Sequence, residues 1–479
     1  GERGLITSYS LDSYAQSAGT LGKAKMIPIT KKQMGLSRRA LAFLYAVPAV
    51  QFHREGKPSP AGRIFMAWHI AMDETPDGHL AGCISECVLK NFHWVFPILV
   101  TSPLPVIAPK HIMNTDMKYL ELRFALTRED TCCIVSQFAS TVLALMHYLE
   151  KHWALLCDDI ERGVISESVA IPESVRASLQ KYLMPLPERA AALRQAFQAG
   201  FDSPIIPRIW PNVAFLSAVG GGALGNAIPL LRAYSGDLPI NSFAYAASEA
   251  AIGSALEMDT DTYVLTPTRG FFEFLPVGDE SGRTFELDEL EVGRHYELVL
   301  TNLSGLYRYR LHDVVQVVGY HNAAPLLRVL YRERVLVNML GEKVNEADLR
   351  CATEALQRET ECVISDACVY GDENAEPMQY VLFLELAEPV LAETRARFQA
   401  ILEEALEQTN SDYHYRIQTG ELQPLELKFL RRGTNERYRE IVASQQKAAQ
   451  QIKPIRVLDT PEKIRFFMEM TEDETALCE

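Results

Sequence analysis

Apolar residues recur at a helical spacing through much of the first half of the chain. Residues 117–159 contain long apolar stretches with this period, including FASTVLALMHYLEKHWALL, which predicts a pair of buried helices. Residues 173–200 predict a charged helix with leucine and alanine on one face. The proline-rich residues 204–211 interrupt the helical pattern, so a connection is expected there.

Short apolar runs separated by glycine and proline turns follow, and they predict strands. AFLSAV precedes three glycines at 220–222, and SFAYAASE follows a proline turn. TYVLTPTRGFFEFLPV is typical of a hairpin, whereas YELVLTN, LYRYRL and VVQVVGY are expected to form successive strands.

The pattern becomes more regular from about Arg332. A helix is predicted over residues 346–358, followed by the strands ISDACVYG and QYVLFLEL. A second helix over residues 391–408 leads to the strand PLELKFL and a basic tail helix. This order is typical of a compact α+β unit. We therefore predict two domains, residues 1–333 and residues 334–479.

The composition is that of a folded, acidic protein. The 479 residues include 47 Lys and Arg against 62 Asp and Glu, a formal net charge of −15, and 48% are hydrophobic. Such a chain can bury enough apolar surface to fold, and its acidic excess argues against a nucleic-acid partner. No apolar run reaches the ~18–20 residues of a membrane helix. The sequence GERGLITSYS lacks the apolar core of a signal peptide, so a soluble cytoplasmic protein without a membrane partner is expected.

The nine cysteines favour a reducing compartment. Their odd number and irregular spacing argue against a disulfide framework. Cys83 and Cys87 lie near His79 and His93, which allows a metal site, but no second ligand pair follows at the spacing of a zinc finger. Because buried thiols are common in protein cores, a structural role is favoured for this pair.

Residues 17–25, SAGTLGKAK, combine small residues and glycines with two lysines, and the apolar run after them predicts a strand. Glycines let backbone N–H groups approach an anion closely and form a concave nest for phosphate. Thr20 adds a hydroxyl donor, and Lys25 or Lys23 can neutralise charge. The loop is not a Walker A motif, because serine and alanine occupy its first glycine and final hydroxyl positions. A flexible turn is the alternative for this loop taken alone.

Two later segments add an aromatic ring, a hydroxyl and two carboxylates. YAASE ends in Ser248 and Glu249, which could bind a phosphate and Mg²⁺, while Tyr245 could pack against a purine. YRLHD ends in Asp313, whose carboxylate suits two ribose hydroxyl groups. The alternatives are a strand end with a satisfied glutamate and a surface Arg/Asp pair of little energetic weight.

Taken together and in this order, SAGTLGKAK, YAASE and YRLHD resemble the adenylate-forming superfamily of acyl-CoA synthetases, luciferases and peptide-synthetase adenylation domains. More closely, the chain resembles the auxin-responsive acyl acid amido synthetases, which include the indole-3-acetyl and jasmonoyl amido synthetases of plants and their bacterial relatives. Further segments that resemble this family are FASTVLALMHYLEKHWALLCDDIERG, GLYRYRLHDVVQVVGYHNAAPLLRVLYRERV, GEKVNEADL and QIKPIR. The likeness spans nearly the whole chain.

The resemblance implies an α/β fold of the adenylate-forming (luciferase/acyl-CoA synthetase-like) type, with a large N-terminal domain and a smaller, mobile α+β C-terminal domain. It also implies a two-step reaction that needs ATP and Mg²⁺. A small carboxylic acid would attack the α-phosphate to give an acyl-adenylate and pyrophosphate, and an amine, commonly that of an amino acid, would then form the amide and release AMP. The alternatives are transfer to CoA or a carrier-protein thiol, and a non-catalytic nucleotide-binding protein.

The resemblance gives each motif residue an expected role. The expected phosphate contacts are Ser17, Gly19, Thr20, Gly22 and Lys25. The other expected roles are adenine contact for Tyr245, phosphate contact for Ser248, Mg²⁺ binding for Glu249 and ribose binding for Asp313.

Two basic residues resemble further superfamily positions. Arg332 would contact the nucleotide, with a solvated hinge residue as the alternative. Lys453 would meet the substrate carboxylate and the α-phosphate as the C-terminal domain closes, with a helix-terminal lysine as the alternative. Thr20, Glu249 and Lys453 are therefore the residues expected to act in catalysis.

The acyl site is expected beside the buried helices and the glycine turn. Phe138, Val142 and Met146 recur at i, i+4 and i+8 and could line an apolar pocket, although such a stripe is more often core and core is favoured here. Gly221 and Gly222 would permit close approach of a ligand, but a turn at a strand end explains them equally well.

Three features depart from the family pattern. His312 stands where the family has glycine, which alters the turn that presents Asp313 if that turn needs a positive φ. Ala247 replaces a usual serine and removes one hydroxyl group. The phosphate loop begins at Ser17, whereas the family has several helices before it, so a truncated, processed or shorter form is expected.

Overall fold

The computed structural model describes most of the chain, namely residues 7–16, 26–37, 43–109, 115–220, 227–279, 281–332, 336–337, 344–372, 375, 377–418, 422–445 and 455–472. These residues fall into two compact units. The first unit takes the described residues within Gly1–Leu311, Val315–Val329 and Val442–Ile452, and the second takes those within His312–Val314, Leu330–Ile441 and Lys453–Glu479. The boundary expected between residues 333 and 334 stays a prediction, since it lies outside the described residues.

The strands of the described residues are β1 (Leu11–Gln16), β2 (Met26–Thr30), β3 (Arg63–Ala67), β4 (Asp73–Glu74), β5 (Leu80–Gly82), β6 (Thr131–Phe138), β7 (Phe215–Val219), β8 (Ile240–Asn241), β9 (Ala244–Ala246), β10 (Ala251–Ser254), β11 (Thr262–Leu265), β12 (Phe271–Pro276), β13 (His295–Thr301), β14 (Tyr309–His321), β15 (Ala324–Arg332), β16 (Leu336–Val337), β17 (Val344–Asn345), β18 (Ile364–Asp372), β19 (Met378–Leu386) and β20 (Leu422–Leu430).

The α-helices of the same residues are α1 (Lys31–Ser37), α2 (Phe43–Arg54), α3 (Ile84–Leu89), α4 (Phe96–Leu99), α5 (Leu104–Ile107), α6 (Met117–Ala125), α7 (Ala139–Arg162), α8 (Glu173–Leu179), α9 (Pro187–Gln198), α10 (Ile206–Ile209), α11 (Ala227–Ser235), α12 (Glu346–Thr360), α13 (Ala392–Arg395), α14 (Phe398–Thr409), α15 (Ser411–Gln418), α16 (Thr434–Gln445) and α17 (Pro461–Glu469). None of them is long and apolar enough to cross a membrane.

A parallel sheet of four strands lies in the first unit, in the order β3-β6-β7-β8. Helices α6 and α7 contribute many of the side chains in its main hydrophobic core, so the predicted pair of buried helices is confirmed. The prediction missed β6, which lies between them and is buried along nearly its whole length. An apolar run of this length, TCCIVSQF, has no period that distinguishes a buried strand from a buried helix.

Backbone geometry sets where α7 ends. Gly163 follows the helix with φ 68°, and a Cβ there would lie 2.4 Å from the backbone nitrogen of Pro185. Glycine is therefore required both by its conformation and by the close approach of the chain. The single charged helix predicted over residues 173–200 is wrong, because prolines at 185 and 187 divide it into α8 and α9.

A second sheet of the first unit has seven strands, in the order β12-β13-β14-β15-β11-β10-β9. The hairpin predicted for TYVLTPTRGFFEFLPV is wrong, since β11 pairs with β10 and β15 whereas β12 pairs with β13. A proline-containing 3-10 turn, Pro267–Arg269, separates the two strands, and Phe272 and Phe274 of β12 are buried in the core beside β13. The pairing of β11 and β12 therefore depends on packing against strands that are distant in the sequence, and the local pattern does not specify it.

LYRYRL and VVQVVGY do not form successive strands. A single strand, β14, contains the second half of LYRYRL and all of VVQVVGY. The backbone of His312 has φ 60°, and the regular alternation of buried residues breaks there because Asp313 and Val314 are both buried. From this residue on, the side chains of the strand alternate in the opposite phase, although the strand itself continues. Hydrophobic patterning alone does not distinguish such an irregularity from a turn.

A small sheet with the order β2-β1-β5-β4 completes the strands relevant to the site. The predicted strand after the glycine-rich loop is confirmed as β2, whose Ile27 and Ile29 are buried in the same small core as Ala15 of β1.

The second unit is an α+β layer. β18 and β19 are antiparallel, β19 and β20 are parallel, and α12 and α14 pack through the apolar cluster beside them. Asn345 caps α12 by accepting hydrogen bonds from the N–H groups of Ala347 and Asp348. The predicted order of helices and strands is confirmed here, except that the helix over residues 391–408 is divided into α13 and α14.

Candidate active site

The predicted phosphate loop lies between two strands that pair with each other. β1 and β2 are antiparallel, and Gln16 at the end of β1 is opposite Met26 at the start of β2. Residues 17–25 join these two positions and lie outside the described residues. The roles expected for Ser17, Gly19, Thr20, Gly22 and Lys25 therefore stay predictions.

Ser248 and Glu249 form the two-residue turn of a hairpin between β9 and β10. Ala247 donates from its N–H to the carbonyl of Ala250 at 2.8 Å, and Ala250 donates back at 3.2 Å. Residues that exchange both backbone bonds close a tight hairpin. The backbone of the two turn residues is therefore held from both sides.

This turn lies against the end of β1. The hydroxyl of Ser248 donates to the carbonyl of Gln16 at 3.3 Å, although 232 positions separate the two residues. Gln16 directly precedes the predicted phosphate loop. The fold thus brings the YAASE segment to the strand from which that loop departs, while its contact with a phosphate stays a prediction.

Glu249 is a buried acid, with 4% of its surface exposed. Among the described residues, no hydrogen bond or ion pair joins its carboxylate to another group. Holding a carboxylate away from water costs free energy, which a bound cation would offset. The residue therefore fits the role of a Mg²⁺ ligand.

Asn302 supports the turn from the other side, and sequence reasoning missed it. Its Nδ2 donates to the backbone carbonyl of Glu249 at 2.9 Å, and its Oδ1 accepts from the N–H groups of Ser304 and Leu306. One side chain thus joins the Glu249 turn to the loop between β13 and β14. An asparagine directly after a strand is a common turn residue, so the sequence carried no signal for this long-range contact.

Replacing Asn302 by aspartate should lower the free energy of unfolding by about 1–3 kcal/mol. The substitution keeps the acceptor oxygen but replaces the amide donor by an oxygen that faces the carbonyl of Glu249. Urea unfolding measures the change. Asn322→Asp is the matched control, since Asn322 is exposed in a turn, and equal stability of the two variants would contradict this role for Asn302.

Tyr245 is a core residue of the seven-stranded sheet. It is 7% exposed, and its ring centre lies 6.0 Å from that of Tyr263. The ring is buried among apolar neighbours. Its expected contact with adenine stays a prediction.

Asp313 lies on β14, within the short segment His312–Val314 that is grouped with the second unit, and is 9% exposed. The residue before it, His312, has the left-handed backbone that the family glycine would adopt freely. Histidine is among the residues that tolerate this region better than most, but it is still strained there. The condition left open from the sequence, a positive φ at this position, is thus met, although His312 lies within a strand and not in a turn. Ribose binding by Asp313 stays a prediction.

His312→Gly should have a higher free energy of unfolding than His312→Val, since both variants lose the imidazole but only glycine adopts this φ freely. Removing the strain of a side chain at this φ contributes about 1–2 kcal/mol, and the greater freedom of glycine in the unfolded chain offsets about 0.5–1 kcal/mol of that gain. His312→Val should be destabilising, because a β-branched residue is least tolerant of positive φ. Chemical denaturation of both variants checks the pair, and the opposite order of stability would contradict the strain.

An ion pair between a half-exposed arginine and a buried glutamate supports the strand just before Asp313. Arg310 forms a bidentate pair with Glu297 of β13, whose side chain is 1% exposed. From the sequence, only a surface Arg/Asp pair is expected for the arginine of this motif. The available signal was Glu297 itself, a charged residue within the apolar run YELVLTN.

The residues proposed for the acyl site divide into three groups. Val142 and Met146 are fully buried in the main core, as the favoured interpretation predicted. Phe138 is half-buried at the end of β6, opposite Val219 of β7. Gly221 and Gly222 lie outside the described residues, so their role stays a prediction.

Gly220, the first of the three glycines, has a packing role. A Cβ at this position would lie 2.3 Å from the side chain of Ile228 and 3.6 Å from that of Ala139. Its lack of a side chain lets α11 and α7 approach the carboxyl end of β7. Ligands of α/β sheets bind at this edge, where the loops after parallel strands meet.

The two expected basic residues are not placed by the structure. Lys453 and the side chain of Arg332 lie outside what the structure describes. Shortly after Lys453, Arg456 pairs with the buried Asp366, and its backbone carbonyl accepts from Val369 of β18 at 2.9 Å. The chain is therefore anchored to the second unit at Arg456.

Cys83 and Cys87 behave as core residues. Both are buried, and burial raises the pKa of the Cys87 thiol to about 11 and that of Cys83 further. Metal binding needs a thiolate, which such an environment disfavours. Within the part of the chain that the structure describes, no three His, Cys, Asp or Glu side chains are grouped to hold a metal.

Solved structures with the same fold include the GH3.15 acyl acid amido synthetase. It superposes with a TM-score of 0.83 at 26% sequence identity, over 98% of this chain and 83% of that one. A second structure, AtGH3.15 acyl acid amido synthetase in complex with 2,4-DB, has a TM-score of 0.84 at 24% identity and bears on the fold alone. The α/β architecture with a smaller C-terminal part is thus shared with these proteins.

Curated relatives carry related names. The chain is 32% identical over 485 residues to the indole-3-acetic acid-amido synthetase GH3.8 of Oryza sativa subsp. indica, which covers 95% of this chain and 78% of that protein. It is 32% identical over 328 residues to the jasmonoyl–L-amino acid synthetase GH3.5 of Oryza sativa subsp. japonica, covering 64% of this chain and 56% of that protein.

Family-level comparison covers nearly the same length. Residues 1–240 match the GH3 family N-terminal domain, residues 263–332 the GH3 family central domain, and residues 347–462 the GH3 family C-terminal domain. On the strength of these matches and of the relatives above, the chain belongs to the GH3 family of amido synthetases.

Proposed function

We propose that this chain is an ATP-dependent acyl acid–amido synthetase that activates a carboxylic acid as its adenylate and transfers the acyl group to an amine. The observation that carries the proposal is the Ser248–Glu249 turn, which contacts the end of β1 beside the predicted phosphate loop. The names of the similar proteins support the same reaction class.

The chain's part in the first step is to bind and orient ATP. Ser248 would contact a phosphate, and Asp313 would accept hydrogen bonds from the ribose hydroxyl groups. The loop residues that would surround the phosphates are Ser17, Gly19, Thr20, Gly22 and Lys25. In-line attack on a phosphate depends on position and charge neutralisation, so no covalent protein nucleophile is required.

Glu249 is the residue that would hold Mg²⁺. Its buried carboxylate has no described partner that neutralises it, which fits a divalent cation with oxygen ligands. When bound, the ion supplies charge neutralisation on the phosphate oxygens. Asn302 would keep the turn in place through its hydrogen bond to the Glu249 carbonyl.

The bonds made and broken in the reaction belong only to the acid, the amine and ATP. One carboxylate oxygen bonds to the α-phosphorus as pyrophosphate leaves with the electron pair of the broken P–O bond. The amine nitrogen then bonds to the acyl carbon, loses a proton, and AMP leaves with the former carboxylate oxygen. Lys453 and Arg332 would contribute positive charge during the first of these steps.

The acid and the amine are proposed by chemical class. The relatives' names refer to indole-3-acetic acid, jasmonate and amino acids, so we propose a small acid with an apolar body and an amino acid as the amine. Phe138, at the carboxyl end of β6, would contact the acyl group, and Gly221 and Gly222 would allow its close approach. Because each described cysteine is free, a reducing compartment such as the cytoplasm is proposed.

A matrix of carboxylic acids and amino acids, incubated with Mg·ATP, tests the proposal. Pyrophosphate release is measured, and mass spectrometry identifies the product. ATP-dependent amide is the expected product. A CoA thioester instead of an amide would contradict the acceptor, and tight ATP binding without turnover for any acid would contradict catalysis.

A further inference from the structure

A cavity of about 270 Å³ opens in the first unit at the amino-terminal edge of the parallel sheet. Its volume is just below the roughly 300–1,000 Å³ of drug-sized ligand pockets, so only a small molecule would fit. The lining residues used below are Glu129, Arg189, Ala192, Leu193, Arg208 and Ile209. None of them belongs to the candidate active site.

The cavity wall contains a buried positive charge. The Arg189 side chain is only 10% exposed, and burial lowers the pKa of its guanidinium. Its Nε donates to the carbonyl of Leu126 at 2.7 Å and one terminal nitrogen donates to that of Ile209 at 2.8 Å, which fixes the orientation of the group. Neither of these carbonyl acceptors carries a net charge, so they do not neutralise the guanidinium group.

The carboxylate beside Arg189 neutralises it poorly. Glu129 approaches the other terminal nitrogen at 3.5 Å, and its own side chain is 68% exposed. An ion pair of this length to a solvated carboxylate contributes little. A buried guanidinium with so weak a counter-charge favours a further anion nearby.

A second guanidinium lines the same cavity. Arg208 is held by neutral acceptors, including the carbonyl of Gly200 at 2.8 Å and that of Ala196. Two fixed cations therefore share the cavity with one solvated carboxylate. This local positive balance lies within a chain of net charge −15, so it is not a general property of the surface.

Most of the remaining wall is aliphatic, and Asn212 adds one polar amide. Ala192 and Leu193 of α9 and Ile209 of α10 line the cavity with the two arginines. A bare inorganic anion would leave these apolar groups in contact with water. A carboxylate attached to an apolar body would contact both parts of the wall, since guanidinium groups bind carboxylates in two-point geometry.

This cavity is remote from the expected acyl site. Glu129 precedes β6 by two residues, whereas Phe138 ends that strand. The eight residues of β6 span roughly 26 Å at about 3.3 Å per residue. Ligands bound at the two places would therefore not overlap.

We propose that this cavity binds a small carboxylic acid with an apolar body, at a site separate from adenylation. The guanidinium groups of Arg189 and Arg208 would bind the carboxylate, and the alanine, leucine and isoleucine side chains would contact the body. The site would let the protein respond to acids of the same chemical class as its proposed substrate. Its existence does not depend on catalysis.

Fluorine NMR titration of the full chain with 4-fluorobenzoate tests the proposal, with 4-fluorobenzyl alcohol as the uncharged analogue. The variant is Ala192→Trp, which would fill the cavity, and the matched control is Ala191→Trp on the same helix. Both alanines are exposed, so both variants should fold. Ala192→Trp should weaken 4-fluorobenzoate binding by about tenfold or more, whereas Ala191→Trp should leave it unchanged and the alcohol should not bind.

Two outcomes would overturn the proposal. The first is 4-fluorobenzoate binding that is unaffected by Ala192→Trp, which would place the acid elsewhere, such as the acyl site. The second is full displacement by an equal concentration of inorganic phosphate, which would indicate a site for any anion. If the parent chain binds 4-fluorobenzoate as expected but makes no amide, the proposed function is refuted and the proposed site is not.

Discussion

Replacing Glu249 by glutamine should slow formation of the acyl-adenylate by about 100- to 1,000-fold, with little loss of stability. Glutamine has nearly the same shape, so the hairpin turn between Ala247 and Ala250 should be retained. The substitution removes the negative charge that would hold Mg²⁺, and it also removes the cost of burying that charge. ATP–pyrophosphate exchange with a saturating acid measures the rate of the first step directly.

The matched control for this variant is Glu257→Gln. Glu257 is an exposed residue of the same unit, and its substitution should leave exchange unchanged. A second readout is the dependence on Mg²⁺ concentration, which should move to higher concentration for Glu249→Gln only. Normal exchange and normal Mg²⁺ dependence in Glu249→Gln would refute the metal role.

Asp313→Ala should weaken ATP binding by about 10- to 100-fold, because two hydrogen bonds from ribose to a charged acceptor would be lost. The effect should appear in the dissociation constant of ATP rather than in the binding of the acid. Isothermal titration with ATP measures it. 2′-Deoxy-ATP should bind the parent chain less well than ATP and should bind the Asp313→Ala variant about as well as ATP does.

Asp288→Asn is the control for charge alone, since Asp288 is exposed. It should bind both nucleotides like the parent. If Asp313→Ala still discriminated between ATP and its 2′-deoxy analogue to the same degree, the ribose contact would have to be assigned to another residue.

The chemistry-bearing segments were readable from the sequence because each has a local signature. YAASE lies at a strand end followed by a second strand, and the structure gives it the form of a two-residue hairpin turn. The glycine-rich loop was expected to lead into a strand, and β2 follows it. Small, polar and charged residues at such positions have few structural uses, so their spacing is informative.

The pairing of the strands within the sheet could not be predicted from such local signatures. The runs on either side of Pro267 each predicted a strand, but β11 and β12 pair with different neighbours. Pairing depends on which distant strand supplies a matching buried face, and that is a property of the whole sheet. The same reason explains why the apolar run of β6 was not distinguished from the helices beside it.

The supporting residues of the site were missed for a related reason. Asn302 acts on Glu249 across 53 positions of sequence, and Glu297 acts on Arg310 from the neighbouring strand. Neither contact follows from a motif, because each depends on two elements being adjacent in the fold. His312 is the contrasting case, since its departure from a family glycine pointed to the one backbone angle that had to be checked, and the structure has a positive φ there.

The most direct test of the central claim follows an oxygen atom. The chain is incubated with Mg·ATP, an amino acid and a carboxylic acid whose carboxyl group is labelled with the ¹⁸O isotope. Mass spectrometry then measures the masses of the products. The account predicts that AMP carries one labelled oxygen, because the acid oxygen that bonds to the α-phosphorus leaves with AMP when the amide forms. Label in inorganic phosphate with ADP as the nucleotide product, or amide formation with unlabelled AMP, would contradict it.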